Sequence, residues 1–424
     1  MADQGIKAEG LAFAKKIFVD IGSITKDASA GYTREGYSPV ENRVHDYFKN
    51  LGAQLGLEEK TDAAGNLFLT YPGARRELPA FMSGSHADSV PQGGDYDGIA
   101  GIAAAFTVAW WMKRTGFVPQ RDFTVLVTRA ESSAFYGKAY AGTLAMTGKL
   151  RPEDLALRHR TKNLTLGDAI REAGFDPQAM VTGKPLVDLS RIAAFIELHI
   201  EQGPRLDANK QKRIGVVTGV RGNLRHKRIA CIGETAHSGA VEIEFRHDAV
   251  LATADLLMSM EKHWKHRLDR EEDLVFTAGV VSTGPSAAIS KVPGLVTFCV
   301  DMRSLSMGTL ERFHEMLELD AARISKARGV RFEFDRLLRT DSAHLDSRLV
   351  ARLAITASAN GIRYIAMPSG AGHDAAVLEN AGIPSAMIFV ANEHGSHNPD
   401  EAMEMPDFMQ GVKLLWKVVE GYDV

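Results

Sequence analysis

The sequence predicts an α/β fold: a mainly parallel sheet covered by helices, with an inserted α+β (split βαβ) domain. Three observations favour this fold. Strand-like and helical segments alternate through the first half, as they do around parallel sheets. Phe123–Thr128 is a wholly apolar or β-branched run, which is typical of a strand covered on both faces. Near residue 213 the pattern changes to strand-helix-strand-strand-helix-strand, which is the split βαβ order.

The first half supplies the elements of the larger domain. Short strands are predicted at Asn66–Thr70 and Pro79–Gly84, and the apolar run Ile99–Thr115 predicts a buried helix that ends at Gly116. The strand Phe123–Thr128 follows. Helix–strand alternation returns after about residue 339, so the larger domain is expected to be discontinuous, with residues 1–212 and 339–424.

The inserted domain is expected to cover residues 213–338. Its second helix carries an apolar stripe on one face, and Gly329 stands where a C-terminal cap belongs. The remaining predicted elements are strands at Arg225–Gly233, Leu274–Ser282, Gly294–Ser304 and Arg331–Leu337, and helices at Arg246–His263 and Leu310–Arg328.

Composition excludes several classes of function. A net charge of -3 argues against a nucleic-acid-binding protein. Two cysteines, Cys231 and Cys299, cannot supply a thiolate zinc site, and they are expected to be free thiols in a reducing compartment. The N-terminus lacks the features of a signal peptide, and the longest apolar run, Ala100–Met112, is too short to span a membrane. The expected location is therefore cytoplasmic.

Two clusters of candidate metal ligands follow the first predicted strands. In Ser85–Ser89, His86 can bind a metal while Asp88 orients the imidazole. Asp97, just before the helix Ile99–Thr115, has a carboxylate that could bridge two metal ions. A loop histidine and a helix N-cap aspartate would explain each residue taken alone.

Further ionisable residues stand at other strand ends. Glu131 follows Phe123–Thr128 and is a candidate general base, although a solvated loop glutamate is the alternative. Period-2 alternation puts His199 on one face of its strand with Glu197 and Glu201, where polar groups need partners. His397 follows another strand. Together the clusters predict a metal site at one end of the sheet.

A series of motifs carries a family resemblance. The motifs are GSHADS, GGDYDG, ELHIEQG, GETAHSG, DMRS, PSGAGHDA and GSHNPDEA, and they span nearly the whole chain. The series resembles the hydantoinase/carbamoylase branch of the co-catalytic zinc amidases and peptidases. That branch contains N-carbamoyl-L-amino acid hydrolases, bacterial β-ureidopropionases and allantoate amidohydrolases. The resemblance implies a divalent metal cofactor, zinc or manganese.

The resemblance also implies roles for individual residues. The implied metal ligands are His86, His199, the bridging Asp97 and, for a second metal, His397. The implied catalytic residues are Glu131 as general base, Asp88 orienting His86, and His237 polarising the scissile carbonyl. The implied substrate-binding residues are Arg303, Gln202, His373 and Asp374. In relatives the equivalent of His237 reaches the partner's active site, so the inserted domain is expected to act as a lid and to form a homodimer.

Arg303 would clamp a substrate carboxylate, because a planar guanidinium suits bidentate recognition. The expected partner is therefore a small-molecule substrate that bears a carboxylate. Relatives often carry asparagines where this chain has Ala287–Ser290, which leaves the substrate itself open.

Residue 132 departs from the family pattern. The family has adjacent glutamates, a base followed by a ligand of the second metal, whereas the ungapped alignment puts Glu131 and Ser132 there. We therefore expect one tight metal site and a second that is weak or empty. A one-residue shift would instead make Glu131 the ligand and Ala130 the missing base.

The predicted function is hydrolysis of a carbamoyl (ureido) group through metal-activated water and a Glu general base. A dipeptidase or acyl-amino-acid amidase that uses the same site is the alternative enzyme. A non-catalytic binding protein with a degraded metal site is the alternative of another class. Retention of a general base argues against that last alternative, because a pure binder does not need one.

Overall fold

The computed structural model describes residues 2–423, with side chains from residue 5 onward. The chain forms two compact units, one of residues up to Gly219 together with those from His344 on, and one of Val220–Ala343. The predicted fold class is confirmed, since helices flank a central sheet that contains parallel strands.

Helices are named in chain order. In residues 2–423 the α-helices are α1 (Ala2–Thr25), α2 (Pro39–Leu55), α3 (Ile99–Thr115), α4 (Ala141–Met146), α5 (Leu166–Glu172), α6 (Ala249–Leu268), α7 (Met307–Arg328), α8 (Ser347–Ala359), α9 (Asp374–Glu379) and α10 (Met405–Glu420). None of these described helices has the length and apolar character needed to cross a membrane.

Strands are named in the same way. They are β1 (Glu58–Thr61), β2 (Leu67–Tyr71), β3 (Ala80–His86), β4 (Phe123–Thr128), β5 (Ile192–Ile200), β6 (Ile214–Val220), β7 (Gly222–Ile232), β8 (Ala236–His237), β9 (Val275–Thr277), β10 (Val281–Thr283), β11 (Lys291–Val292), β12 (Leu295–Ser304), β13 (Arg331–Phe334), β14 (Leu338–Thr340), β15 (Ala343–His344), β16 (Tyr364–Ser369) and β17 (Ser385–Val390).

The sheet of the first unit has a parallel centre and antiparallel edges. Its order is β1-β2-β4-β3-β5-β17-β6-β15, with β16 beside β6. Strands β4, β3, β5 and β17 run parallel, whereas β2 and β6 run antiparallel to their neighbours in this centre. Because the four central strands point the same way, their carboxyl ends meet at one edge of the sheet.

Helix α3 packs closely on this sheet because its first turns are made of small residues. Gly101 lies so close to β5 that an added Cβ would stand 2.4 Å from the carbonyl oxygen of Leu198. The helix ends at Gly116, whose φ of 71° is a left-handed conformation that glycine adopts readily. Its predicted bounds are confirmed. This packing fixes the N-terminus of α3 beside the carboxyl ends of the central strands.

The second unit is a two-layer domain. Strands β10, β12, β7 and β13 form an antiparallel sheet, with β9 beside β12 and β14 beside β7. Helices α6 and α7 bury Leu256, Met260, Phe313 and Leu317 in its core. Helix α7 begins at Met307, where the Ser306 hydroxyl accepts the N–H of Thr309 over 3.2 Å.

Two strand predictions in this unit were wrong in their bounds. The segment Leu274–Ser282 was expected to be one strand, yet it forms β9 and β10 separated around Gly279. The partner strand β12 changes register between Phe298 and Val300, so one continuous strand could not pair along it. The predicted strand Arg331–Leu337 ends early, at Phe334, and β14 follows.

Candidate metal centre

The candidate residues of the first unit lie at the carboxyl edge of its central strands. His86 is the last residue of β3, His199 is the penultimate residue of β5, and Glu131 comes three residues after β4. Asp97 stands before the first turn of α3. His397 follows β17 in a loop. The topology of the sheet therefore gathers residues that are far apart in sequence.

Three of these side chains form a triangle of ligand atoms. His86 Nε2 lies 3.2 Å from Asp97 Oδ1, His199 Nε2 lies 3.5 Å from the same oxygen, and the two imidazole nitrogens are 3.5 Å apart. Ligand atoms about 2.0–2.1 Å from one tetrahedral ion lie roughly 3.3 Å from one another. The donor set and its spacing therefore fit one divalent metal ion, and all three side chains are buried.

Hydrogen bonds orient both imidazoles with Nε2 toward Asp97. His86 Nδ1 lies 3.0 Å from the carbonyl oxygen of Asp88 and 3.6 Å from its carboxylate. His199 Nδ1 lies 2.9 Å from the carbonyl oxygen of Ile200. Each Nδ1 thus has an acceptor, so each neutral imidazole directs its Nε2 lone pair toward the triangle. At His199 that nitrogen also accepts the Gly98 N–H over 3.3 Å. Gly98 makes this arrangement possible, since a Cβ there would stand 2.4 Å from the His86 carbonyl oxygen.

The charges of the triangle depend on one another. Burial opposes ionisation of Asp97, yet the imidazoles of His199, His397 and His86 hold its pKa well below the usual value. Burial likewise opposes protonation of His86, but the carboxylates of Asp88 and Asp97 raise the pKa of its imidazole well above the usual value. Metal binding must displace that proton, so metal affinity should fall as the pH falls.

Two carboxylates hold the segment that carries Glu131. The N–H groups of Ala130, Glu131 and Ser132 donate in turn to Glu41 Oε1 at 3.0 Å, Asp88 Oδ1 at 2.8 Å and Asp88 Oδ2 at 2.9 Å. Ala130 has a φ of 50°, a strained conformation for a residue with a Cβ. Asp88 therefore connects the backbone of the candidate base directly to the ligand His86.

The Glu131 carboxylate itself accepts no hydrogen bond from the residues that the structure describes. Burial and the nearby carboxylates of Asp374, Asp88 and Asp97 raise its pKa well above the usual value, against the opposing charge of His86. A carboxylate of raised pKa has a stronger affinity for a proton, which is what a general base needs.

The second metal position has fewer ligands. His397 Nε2 lies 3.5 Å from Asp97 Oδ2, and its side chain is 58% exposed. Within residues 2–423, His397 joins no group of three His, Cys, Asp or Glu ligands. The Ser132 hydroxyl accepts the N–H of Ala134 over 3.2 Å. One shared carboxylate and one imidazole are fewer ligands than a tightly held divalent ion usually has.

The predicted substrate residues His373 and Asp374 belong to a buried polar layer beneath the triangle. The Asp374 carboxylate accepts the hydroxyls of Thr128 and, over 2.7 Å, Thr143. His373 Nε2 lies 2.9 Å from the Ser369 hydroxyl. Burial raises the pKa of Asp374 to about 7, with a further contribution from the Glu197 carboxylate. Burial lowers the pKa of the His373 imidazole well below its usual value.

Glu197, His199 and His373 form a second group with ligand spacing. Its members already have partners, since the Glu197 carboxylate accepts the Ser85 hydroxyl at 2.6 Å and the Ala375 N–H at 2.9 Å. These contacts tie β5 to β3 and α9. A supporting role under the triangle explains this group without a metal of its own.

The remaining predicted residues lie in the second unit. His237 is exposed, and its Nδ1 accepts the N–H of Gly239 over 3.1 Å, which leaves the hydrogen on Nε2 able to donate to a carbonyl oxygen. Arg303 pairs with Asp301, with an Nη2–Oδ2 distance of 2.8 Å. Arg225 also donates to that carboxylate, at 3.0 Å.

Sequence reasoning did not single out two residues that hold the triangle. Arg34 is fully buried, and its guanidinium donates to the carbonyl oxygens of Ala87 at 2.9 Å and Asp97 at 3.0 Å. Glu401 Oε1 accepts the N–H groups of Tyr96 at 3.0 Å and Asp97 at 3.1 Å. The only sequence signal for Glu401 was its place four residues after His397 in the motif GSHNPDEA.

Comparison with known proteins identifies relatives of the chain. Residues 82–421 match Peptidase family M20/M25/M40. The allantoate amidohydrolase of Escherichia coli (strain K12) is 32% identical over 396 residues, which cover 93% of this chain and 94% of the relative. The N-carbamoyl-L-amino acid amidohydrolase of Geobacillus stearothermophilus is 31% identical over 411 residues, which cover 95% of this chain and 97% of the relative.

A solved structure of the same kind of enzyme also resembles this chain. The amidase of the hydantoinase/carbamoylase family from Burkholderia multivorans has a TM-score of 0.86 and 26% identity, with coverage of 96% of this chain and 97% of that chain. The resemblance that the motifs indicated is therefore confirmed. The site residues predicted from the sequence, from His86 to His397, all fall within the matched range.

Proposed function

The chain belongs to Peptidase family M20/M25/M40, and from this membership we propose that it hydrolyses the carbamoyl group of an N-carbamoyl-amino acid or related ureido acid. At a coarser level it is a hydrolase of linear amides, as its relatives are. One observation carries the proposal: Asp88 joins the His86–Asp97–His199 triangle to the backbone of Glu131. A cation and a base are thereby held by one hydrogen-bonded unit.

The chemistry follows from these residues. His86, Asp97 and His199 would hold a divalent zinc or manganese ion, which would supply a Lewis acid that lowers the pKa of water. Glu131 takes a proton from the attacking water and returns it to the nitrogen that leaves as the C–N bond breaks. The products are an amine and carbamate, and carbamate decomposes to carbon dioxide and ammonia.

A substrate panel tests this proposal. The metal-loaded protein is assayed with N-carbamoyl-amino acids and other ureido acids, with dipeptides, and with N-acyl-amino acids. We expect kcat/KM to be highest for a ureido acid. Faster turnover of dipeptides or N-acyl-amino acids would identify the alternative enzyme. Binding of ureido acids without turnover of any compound would identify a binding protein.

Arg303 is the proposed clamp for the substrate carboxylate. Arg303→Lys should raise KM about 10-fold or more for carboxylate-bearing substrates, because lysine keeps the charge but loses the two-pronged geometry. Steady-state kinetics on the best ureido acid and on its amide derivative measure the effect, and the amide should be insensitive to the change. Equal kinetics for the variant and the unmodified protein on the carboxylate substrate would remove Arg303 from this role.

The second unit has surface features that support a homodimer. Strand β10 is an end strand of its sheet, and its first residue Val281 and the preceding Val280 are exposed. Ile243, Phe245 and Met258 are exposed on the same unit. Exposed apolar side chains and an open strand edge are typical of surfaces that pair with another chain. We propose that this unit forms the dimer and that His237 acts in the partner's active site.

Mixing two inactive variants tests the shared site. His237→Ala and Glu131→Gln proteins should recover activity together, because a mixed dimer has one site with both residues intact. Random exchange makes half of the dimers mixed, so recovery of up to about a quarter of the unmodified activity is expected. Each variant incubated with itself is the control. Absence of recovery after verified subunit exchange would place His237 outside the partner's site.

The proposed location is the cytoplasm. Cys231 and Cys299 are free thiols in the structure, which is the usual state in a reducing compartment.

A further inference from the structure

The two carboxylate oxygens of Asp97 have different surroundings. Oδ1 faces the two buried imidazoles of the triangle, His86 and His199. Oδ2 accepts a hydrogen bond from Gln202 Nε2 at 2.7 Å. It also lies 2.8 Å from the Ser396 hydroxyl, which shares its one hydrogen with Glu401 Oε2 at 2.5 Å. One oxygen therefore faces the position of a cation, and the other faces the Gln202 amide, the Ser396 hydroxyl and, at 3.5 Å, His397 Nε2.

The Gln202 amide also reaches the imidazole beyond Asp97. Its Nε2 lies 3.3 Å from His397 Nε2 as well as 2.7 Å from Asp97 Oδ2. A primary amide has two N–H groups that point in different directions, so one nitrogen can donate to both acceptors. This bridge requires the His397 tautomer that accepts at Nε2 and carries its hydrogen on Nδ1. The amide bridges the two groups that remain as ligands for a second metal.

The backbone holds this amide in place. The Gln202 N–H donates to Asn392 Oδ1 at 2.9 Å, and Asn392 Nδ2 donates to the Gly395 carbonyl oxygen at 2.6 Å. Gln202 and His397 both have a left-handed backbone, with φ of 64° and 62°. Residues with a Cβ adopt this conformation rarely, and chiefly where the surrounding structure imposes it. One asparagine thus fixes Gln202 and the loop of His397 together.

We propose that the Gln202 amide takes the place of the second metal ion, as a neutral cross-link between Asp97 and His397 in a centre that holds one metal. The inference rests on the proposed function in so far as that function needs the first metal. Asp97 and His397 alone are too few ligands to compensate an ion for the loss of its hydration shell. The amide N–H groups also occupy the lone pairs of Asp97 Oδ2 and His397 Nε2 that a second ion would use. A second ion must therefore displace the amide.

Gln202→Glu tests the proposal by exchanging the amide for a carboxylate of the same size. The three groups would then be two carboxylates and one imidazole, a set that binds a divalent ion well. Metal-free protein is loaded with Zn²⁺ or Mn²⁺, dialysed exhaustively and analysed for metal. We expect one ion per chain in the unmodified protein and two in the variant. Gln202→Met, which has similar length but no ligand atom of this kind, should stay at one.

Two ions held tightly by the unmodified protein would overturn the proposal, and so would a single ion in a folded Gln202→Glu variant. If that variant does not fold, the tautomer of His397 in the unmodified protein tests the proposed bridge instead. Nitrogen-15 NMR of the unmodified protein should show the hydrogen on Nδ1, and a hydrogen on Nε2 would count against the bridge. Neither measurement needs substrate, so failure to hydrolyse ureido acids would count against the proposed function alone.

Discussion

Replacing Glu131 by glutamine is expected to lower kcat by about 10²–10⁴-fold, the usual contribution of general base catalysis. The amide has the size of the carboxylate but cannot accept a proton from water. Metal content should stay nearly unchanged, because Glu131 lies outside the triangle of His86, Asp97 and His199. Steady-state kinetics and elemental analysis on the same preparation measure both quantities.

The substitution disturbs the fold little. The Glu131 N–H donates to Asp88 whatever the side chain is. In the described part of the chain the Glu131 carboxylate accepts no hydrogen bond, so no donor loses its partner. Glu379→Gln is a matched control, since Glu379 is also half-buried and its carboxylate accepts the Ser385 N–H at 2.7 Å. The control should keep its kcat.

A different outcome would reassign the residue. If Glu131→Gln loses metal in proportion to activity, Glu131 is a ligand and the base is missing or lies elsewhere. That result would support the alignment shifted by one residue, in which Ala130 stands at the position of the base. Loss of activity at full metal content supports the unshifted alignment.

The sequence predicted the elements whose environment is uniform. Strand β4 is buried at every position, and its bounds follow from a run without a charged residue. Helix α3 is buried through nearly all of its length and ends at a glycine. In both, local composition and tertiary environment agree, so the pattern predicts the structure. His86 and His199 were singled out as well, because each lies at or next to the carboxyl end of a strand.

The sequence could not predict residues whose role depends on distant partners. Glu401 accepts the N–H of Asp97 across 304 positions, and Arg34 reaches the Asp97 carbonyl oxygen across 63. Glu41 holds Ala130 across 89 positions. Arg34 and Glu401 lie in loops, which have no periodic pattern to indicate that a residue is buried, and Glu41 is a charged residue in the first turn of α2. These contacts become visible only in the folded structure, where the sheet and α3 bring distant segments together.

Ser132→Glu is expected to give the protein a second tightly bound metal ion. With serine at 132, the second position has Asp97 Oδ2 and the largely exposed His397. A carboxylate adds charge and a short metal–oxygen bond. Loss of groups that only orient a ligand typically weakens metal binding 10–100-fold, so a direct ligand should tighten the second ion by at least about 100-fold.

The site can accept this change. The Ser132 N–H donates to Asp88 Oδ2 at 2.9 Å, and this bond does not depend on the side chain. The side chain is half-buried, so a longer one has room to extend. Ser133→Glu is the matched control, because it adds the same charge one residue along on an exposed side chain. That control should leave the metal count at one.

Elemental analysis after exhaustive dialysis decides between the outcomes for Ser132→Glu. Two tightly held ions in the unmodified protein would mean that another group replaces the missing glutamate. A single ion in the folded variant would mean that the number of ligands does not limit binding of the second ion. The Gln202 amide would then still occupy the lone pairs of Asp97 and His397. In that event Ser132→Glu combined with Gln202→Met should reach two ions, because the variant then supplies the ligand and removes the bridge. One ion in the combined variant would contradict both explanations.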